Sequence, residues 1–427
     1  MGTIDPAAGA LISKGTQPLA LAVARAVDEE RLWMRLQAMA AIGATPAGGV
    51  NRQALSTEDA QAQRQLVAWG EQIGLEPSAD AAGNLFLRLP GRDPQAAPVM
   101  TGSHLDSQPT GGRFDGVYGV LAGLEALQAL ASAGVRPQRP IDLVAWMNEE
   151  GSRFAPGMMG SEAYAGLRAL ETLLPATDAQ GVSVAQALAA MPAWPSRALG
   201  GSPHAYLEAH IEQGPLLERA GLPVGVVTGI QGKHTGEVCV RGEAAHAGTT
   251  PRDERRDALL SACALVGALD RAVREQAPEA MFTVGRFSVV PNAPSVIASE
   301  VRFTVDLRHF DGPLLAQLAS TLAEVCRRHP GPCEVRWQER VAAAPVHFPA
   351  LVRELVASQA RALAIDCMEL PSAAGHDARP VSHVAPAGMI FVPCAGGISH
   401  NEAESAEPSD LAAGTRVLAA CLVRLAC

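Results

Sequence analysis

The sequence predicts an α/β protein of two domains, and three observations carry that expectation. A strand, helix, strand order with loop-rich strand ends lies in the first half of the chain; a self-contained group of strands and helices interrupts the second; and 427 residues suffice for more than one core. Over residues 19–42 apolar side chains recur at helical spacing, so one helix is expected there. A second is expected over residues 57–73, opened by the capping residues Ser56 and Thr57. Strand-like runs follow at residues 84–89, 99–102 and 141–147, with a helix over 119–133 between the last two. In open α/β sheets the chemistry gathers at the carboxyl ends of such strands.

After Gly232 the pattern changes. Strands are expected at residues 236–241, 282–289, 299–308 and 333–338, and helices at 255–274 and 314–328. Four strands and two helices form an inserted α+β domain over residues 233–342, which divides the outer domain into 1–232 and 343–427. A helix beginning near Ala350 and a strand at residues 388–392 return to the outer pattern.

Composition excludes several classes of function. Hydrophobic residues make up 48% and charged residues 18%, yet no apolar run is long enough, free of Gly, Pro and charge, to span a membrane. Lys plus Arg total 34 against 44 Asp plus Glu, and a net charge of −10 argues against nucleic-acid binding. The 8 cysteines include no C-x-x-C pair, so neither a zinc ribbon nor a dithiol redox motif is expected. The first 25 residues lack a basic start and contain Pro6 and Pro18. No secretory leader is expected, and the cytoplasm is the default location.

Imidazoles and carboxylates concentrate in five loop segments: His104-Leu105-Asp106, Asp115-Gly116, Glu149-Glu150, His210-Ile211-Glu212-Gln213-Gly214 and Ser399-His400-Asn401. Such donors without thiolate favour Zn, Mn, Co or Ni. Any one segment alone reads as a surface or capping loop. The adjacent Glu149 and Glu150, closing an apolar strand, say more: side chains that alternate in direction let one carboxylate bind metal while the other faces a substrate.

These segments occur in order within TGSHLDSQPTGGRFDGVYGV, NEEGSRF, HIEQGPLLE, AAHAGTTP, DLRH, AAGHDA and GGISHNEAE. The set resembles the M20 superfamily of di-metal amidohydrolases and peptidases, and within it the branch of N-carbamoyl-L-amino-acid hydrolases, β-ureidopropionases and allantoate amidohydrolases. The resemblance implies a di-metal exopeptidase-like catalytic domain, a mixed sheet flanked by helices, with the insertion serving as a lid and dimerisation domain. It implies two divalent ions per subunit bridged by Asp115, one also held by Glu150 and His400, the other by His104 and His210. The peptidase branches usually place a carboxylate where this chain has His210, which points to the carbamoylase side. Asp106 would orient the imidazole of His104. Glu149 would be the general base toward a water bridging the ions, and His246 the donor to the developing oxyanion.

By the same resemblance Gln213 and Arg308 bind substrate, Arg308 as a carboxylate clamp. The GIQG stretch at residues 229–232 would be a hinge-like crossing whose glycines take unusual backbone angles. One departure stands out: relatives commonly place an asparagine where this chain has Ser295, and Asn292 lies three residues earlier. The implied activity is cleavage of the ureido C–N bond of an N-carbamoyl amino acid to ammonia, carbon dioxide and the free amino acid. Alternatives are an allantoate amidohydrolase, an N-acyl amino acid aminoacylase or dipeptidase, and, from another class, a metal-free binding protein of the same fold. The expected partners are a small substrate bearing a carboxylate and a second copy of the chain through the inserted domain, with no nucleic acid and no membrane.

Overall fold

The computed structural model describes residues 11–13, 15–329 and 331–427. Residues 1–10, which open the stretch read above as lacking a leader, lie outside the described residues. The chain divides into two compact units, one formed by Met1–Gly229 with His347–Cys427 and the other by Ile230–Val346.

The first unit begins with strands β1 (Glu76–Ala79), β2 (Leu85–Leu89), β3 (Val99–His104), β4 (Ile141–Trp146), β5 (Ala205–Ile211) and β6 (Val224–Ile230). Strands β7 (Gly232–Arg241), β8 (Ala245–His246), β9 (Met281–Val290), β10 (Val296–Ile297), β11 (Glu300–His309) and β12 (Glu334–Ala343) follow, and β13 (Val346–His347), β14 (Cys367–Ser372) and β15 (Ala387–Val392) complete the chain. The large sheet runs β1-β2-β4-β3-β5-β15-β6-β13, with β14 added to β6. It is mixed: β4–β3, β3–β5 and β5–β15 are parallel, whereas β1–β2, β2–β4 and β15–β6 are antiparallel. Its parallel centre brings the carboxyl ends of β3, β4, β5 and β15 to one edge, where open α/β sheets place their chemistry. β3 ends on His104, β4 leads into Asn148, Glu149 and Glu150, and His210 in β5 pairs with Phe391 in β15.

Every residue of β3, β4, β5 and β15 is buried, as expected of parallel strands covered on both faces. The helix Val117–Ser132 is buried almost all round because it packs on β3 and β5 and against the helices Glu29–Ala40 and Pro408–Ala426. One charge sits within that apolar helix. Glu125 is fully buried and accepts hydrogen bonds from Arg31 Nη2 at 2.6 Å, Arg31 Nε at 2.9 Å and the Asp28 N–H at 2.9 Å, with Arg35 Nη1 at 3.4 Å.

Asp28 also explains why the helix expected over residues 19–42 is two, Gln17–Arg25 and Glu29–Ala40. It takes extended geometry and accepts the Arg31 N–H as the cap of the second helix. Ser56 caps the next helix, Thr57–Glu71, by accepting the Asp59 N–H, while Thr57 is its first residue. The helix Pro408–Ala426 has no counterpart in the sequence reading.

In the second unit an antiparallel sheet runs β12-β7-β11-β9, and β8 pairs with β10 in a separate ribbon. Val238, Val240, Val301, Phe303, Val305 and Leu307 on the sheet form one core with Leu265 and Leu269 of the helix Ala258–Gln276 and Leu318 and Leu322 of the helix Gly312–Arg328. The crossing at residues 229–232 differs from the expectation: neither Gly229 nor Gly232 takes a left-handed backbone. Gly232 serves close approach instead, since a Cβ there would lie 2.5 Å from Leu315 Cδ2 and 2.8 Å from Pro345 Cδ. Among the described residues no disulfide forms, and Cys239, Cys326, Cys333, Cys394 and Cys421 are buried. No described helix is long and apolar enough to cross a membrane.

Because truncating Glu125 takes the only carboxylate among the described residues paired with the nearly buried Arg35 and strands the Asp28 N–H, Glu125→Ala is expected to lower unfolding free energy by about 3–5 kcal/mol in urea titration. A loss below about 1 kcal/mol would contradict the pairing argument.

Candidate metal centre

The centre is assembled from the loops at the carboxyl edge of the large sheet. His104, at the end of β3, directs Nδ1 to the main-chain carbonyl of Asp106 at 2.8 Å. With the proton on Nδ1, its Nε2 keeps a lone pair and faces Glu149 Oε2 at 3.6 Å. His210 repeats the arrangement: Nδ1 meets the Ile211 carbonyl at 2.9 Å, and Nε2 accepts the Gly116 N–H at 3.2 Å. Both buried rings are thus fixed through Nδ1, with Nε2 directed inward.

The role expected of Asp106 changes in kind. Its carbonyl, not its carboxylate, takes the His104 hydrogen bond, and the carboxylate stands 3.8 Å from that ring nitrogen. The carboxylate instead accepts the Glu149 N–H on Oδ1 and the Glu150 N–H on Oδ2, each at 3.2 Å. It fixes the backbone of the Glu-Glu pair.

Asp115 lies between two histidines. Oδ1 is 3.3 Å from His210 Nε2, and Oδ2 is 3.1 Å from His400 Nε2, which is also 3.3 Å from Glu150 Oε2. Ligand atoms of His104, Asp115 and His210 lie within 4.8 Å of one another, and so do those of Asp115, Glu150 and His400. Two donor sets therefore share Asp115, each set using a different oxygen. Nitrogen and carboxylate donors with no thiolate fit divalent ions such as Zn, Mn, Co or Ni. Glu149 belongs to neither set.

Local backbone geometry aims these groups. Gly116 has φ 67°, and a Cβ there would fall 2.3 Å from His104 Cε1, so only glycine admits both the turn and the ring. Asn148, Gln213 and His400 also take left-handed backbone, with φ of 54°, 57° and 53°. Such conformations cluster where a fold over-determines the position of functional side chains. Asn148 is held by its side-chain amide, which donates to the carbonyls of Phe154 at 2.8 Å and Pro156 at 3.1 Å.

Burial dominates the electrostatics, with the crowded carboxylates adding to it. Burial pushes Glu149 well above the usual carboxylate range, against the pull of His104. Burial and the charge of Asp115 raise Glu150 to about 7. Burial acts upward on Asp115 too, but His400, His210 and His104 hold it below its ordinary value. His400 rises to about 9 through its hydrogen bond to Asp115, whereas burial lowers His210 to about 4. The pocket holds more negative charge than its histidines balance, the condition a divalent cation relieves.

The remaining residues singled out in the sequence fall elsewhere or act differently. Gln213 Nε2 donates to Asp115 Oδ1 and to Ser399 Oγ, each at 3.1 Å, so it faces the shared carboxylate. Its neighbour Glu212 is structural: its two oxygens accept the Leu216 and Leu217 N–H groups at 2.8 Å. His246, Asn292, Ser295 and Arg308 all belong to the second unit. His246 is exposed, and its Nδ1 accepts the N–H groups of Gly248 at 3.0 Å and Thr249 at 3.2 Å. Asn292 and Ser295 are exposed loop residues with φ of 54° and 63°. The Arg308 fork is engaged by Asp306, Nε to Oδ1 at 2.8 Å and Nη2 to Oδ2 at 3.2 Å.

With this geometry in place, the comparison with known families becomes decisive: the model of peptidase family M20/M25/M40 matches residues 100–424. The chain belongs to that family. An N-carbamoyl-L-amino-acid amidohydrolase of Rhizobium meliloti is 41% identical, over 92% of this chain and 95% of the relative. The allantoate amidohydrolase of Escherichia coli (strain K12) is 33% identical, over 94% and 98%. Among solved structures, a hydantoinase/carbamoylase family amidase from Burkholderia multivorans superposes with a TM-score of 0.85 at 43% identity, covering 94% of this chain and 98% of that one.

In this M20 chain the structure also enlists residues to which the sequence reading gives no role. Glu404 is buried, accepts the Phe114 and Asp115 N–H groups on Oε1 at 2.8 and 3.1 Å, and receives Ser399 Oγ on Oε2 at 2.9 Å. Its signal was its place in SHNEAE beside His400. His376 packs edge-on to His210 with centroids 4.5 Å apart, and Asp377 accepts from Ser161 Oγ at 2.5 Å. Both lie in AAGHDA. Glu208 accepts from Ser103 Oγ at 2.7 Å and from the Ala378 N–H at 2.8 Å, tying β5 to β3 beneath the centre.

Truncating Glu404 strands two N–H groups, each worth about 1–3 kcal/mol when buried without a partner. Glu404→Ala is expected to lose about 2–4 kcal/mol in urea unfolding, and Glu404→Gln, which keeps an acceptor, under about 1 kcal/mol. Equal losses in the two variants would remove the hydrogen-bonding explanation.

Proposed function

We propose that this M20-family hydrolase cleaves the ureido C–N bond of an N-carbamoyl amino acid, releasing ammonia, carbon dioxide and the free amino acid. The observation that carries the reading is Asp115, whose two oxygens serve two histidine-containing donor sets while Glu149 stands beside both and belongs to neither. The similarity to a relative named for N-carbamoyl-L-amino acids supports the substrate class.

In this reading His104, His210 and Asp115 hold one divalent ion, and Glu150, His400 and Asp115 a second. Bound there, Zn, Mn, Co or Ni would acidify a shared water and polarise the scissile carbonyl. Glu149 would act as the general base toward the attacking water and carry the proton to the leaving nitrogen, a task suited to a buried carboxylate with raised proton affinity. His246 accepts two main-chain N–H groups on Nδ1, so Nε2 carries its proton and is the donor toward the carbonyl oxygen as charge develops. Arg308 receives the substrate α-carboxylate, which must share or displace Asp306 on the guanidinium.

A diureido acid is the second reading, favoured by the similarity to an allantoate amidohydrolase. We place the enzyme in the cytoplasm as a homodimer that pairs through the second unit and engages neither nucleic acid nor membrane. Support for the dimer comes from β9, an edge strand with Met281, Phe287 and Val290 exposed. Light scattering should then report two chains per particle; a single-chain mass would remove this part of the reading.

Replacing Glu149 by Gln should abolish turnover with metal content nearly unchanged, whereas His210→Ala should lose metal; an active Glu149→Gln protein or a fully loaded His210→Ala protein would break the assignments. Mass-spectrometric analysis of products from N-carbamoyl α- and β-amino acids, allantoate and N-acetyl amino acids tests the substrate. Release of ammonia from the N-carbamoyl α-amino acids is expected. Turnover confined to N-acetyl substrates would instead make the enzyme an aminoacylase, and no turnover with no bound metal would leave a binding protein.

A further inference from the structure

Gln108 has no part in the chemistry above, yet it meets Glu150 twice. Its backbone N–H donates to Glu150 Oε1 at 3.1 Å, and its side-chain Nε2 donates to Oε2 at 2.8 Å. Glu150 Oε2 is the same oxygen that faces His400. From below, Asp106 accepts the Glu150 N–H, so residues 106–108 grip this glutamate at both its backbone and its carboxylate.

The two halves of the centre are built unequally. His104 and His210 are buried, and each ring is locked through Nδ1 to a main-chain carbonyl. On the other half the His400 side chain is 50% exposed, so little packing restrains the ring. Glu150 must therefore supply the rigidity there, and the group that fixes its flexible carboxylate is Gln108. A hydrogen-bond donor on a carboxylate ligand orients the oxygen that is offered to the ion, and loss of such a partner commonly weakens metal affinity. The amide suits the place because it donates without adding charge. Lysine there would neutralise the carboxylate, and another glutamate would repel it.

Resting on the two-ion reading above, we propose that Gln108 is a positioning residue. Its side-chain amide fixes the Glu150 carboxylate and sets how tightly the His400 half of the centre holds its ion. The His104 and His210 half does not depend on it.

Calorimetric titration of the chelator-stripped protein with Mn²⁺ tests this without reference to activity. Wild type should take two ions in a tighter and a weaker step, and His400→Ala should retain only the tighter. Gln108→Met, which keeps length and the backbone N–H but removes the amide donor, should weaken the second step by about 10–100-fold and leave the first unchanged. Gln108→Ala, read in the same way, serves if Gln108→Met does not fold. Wild-type affinity for both ions in these variants, or equal weakening of both steps, would overturn the proposal. Two ions bound to His400→Ala with wild-type affinity would instead remove His400 from the second site, and this proposal with it.

Discussion

The centre depends on how one carboxylate is held. Asp115 can face two histidines from opposite oxygens only because its backbone enters the helix Val117–Ser132 through a glycine with φ 67°, and because Glu404 grips the N–H groups of Phe114 and Asp115. If the carboxylate turned by one rotamer, it would serve one donor set and abandon the other. Gln213 adds a donor to Oδ1 at 3.1 Å, while the Ser399 hydroxyl gives its proton to Glu404. The buried helix Val117–Ser132, the SHNEAE loop and the HIEQG loop thus converge on a single side chain.

Such convergence brings like charges together. Asp106, Asp115, Glu149 and Glu150 lie in one buried region, and burial first, with their mutual repulsion added to it, raises the proton affinity of Glu149 and Glu150. The fold tolerates this through a division of labour. Some acids are spent on structure: Asp106 holds two backbone N–H groups, Glu404 two more, and Glu212 caps a helix. The others keep oxygens toward the centre. Part of the net charge of −10 therefore has a location, in a pocket whose donors suit two divalent cations by formal charge.

How far the sequence foretold this can be judged from particular elements. The β3, helix, β4 unit was legible because its strands are short apolar runs between loop residues, and the motif loops marked the edge where they end. The helix Pro408–Ala426, opened by a proline at its first position and buried on nearly every side, was missed by the sequence reading. The break at Asp28 was hidden because its N–H is satisfied by Glu125, 97 residues away. The wiring of Asp106 was not legible, since no spacing rule distinguishes a carbonyl from a carboxylate of the same residue. Gln108 carried no signal at all: its partner lies 42 residues on, beyond any local pattern.

The central claim is that Asp115 joins two ion sites, and an anomalous-difference map from crystals of the zinc-loaded protein addresses it directly. The account predicts two peaks, one on each side of the Asp115 carboxylate, the first ligated by His104 and His210 and the second by Glu150 and His400. A single peak, or a peak held instead by Glu208, His210 and His376, the other buried group able to hold an ion, would contradict it.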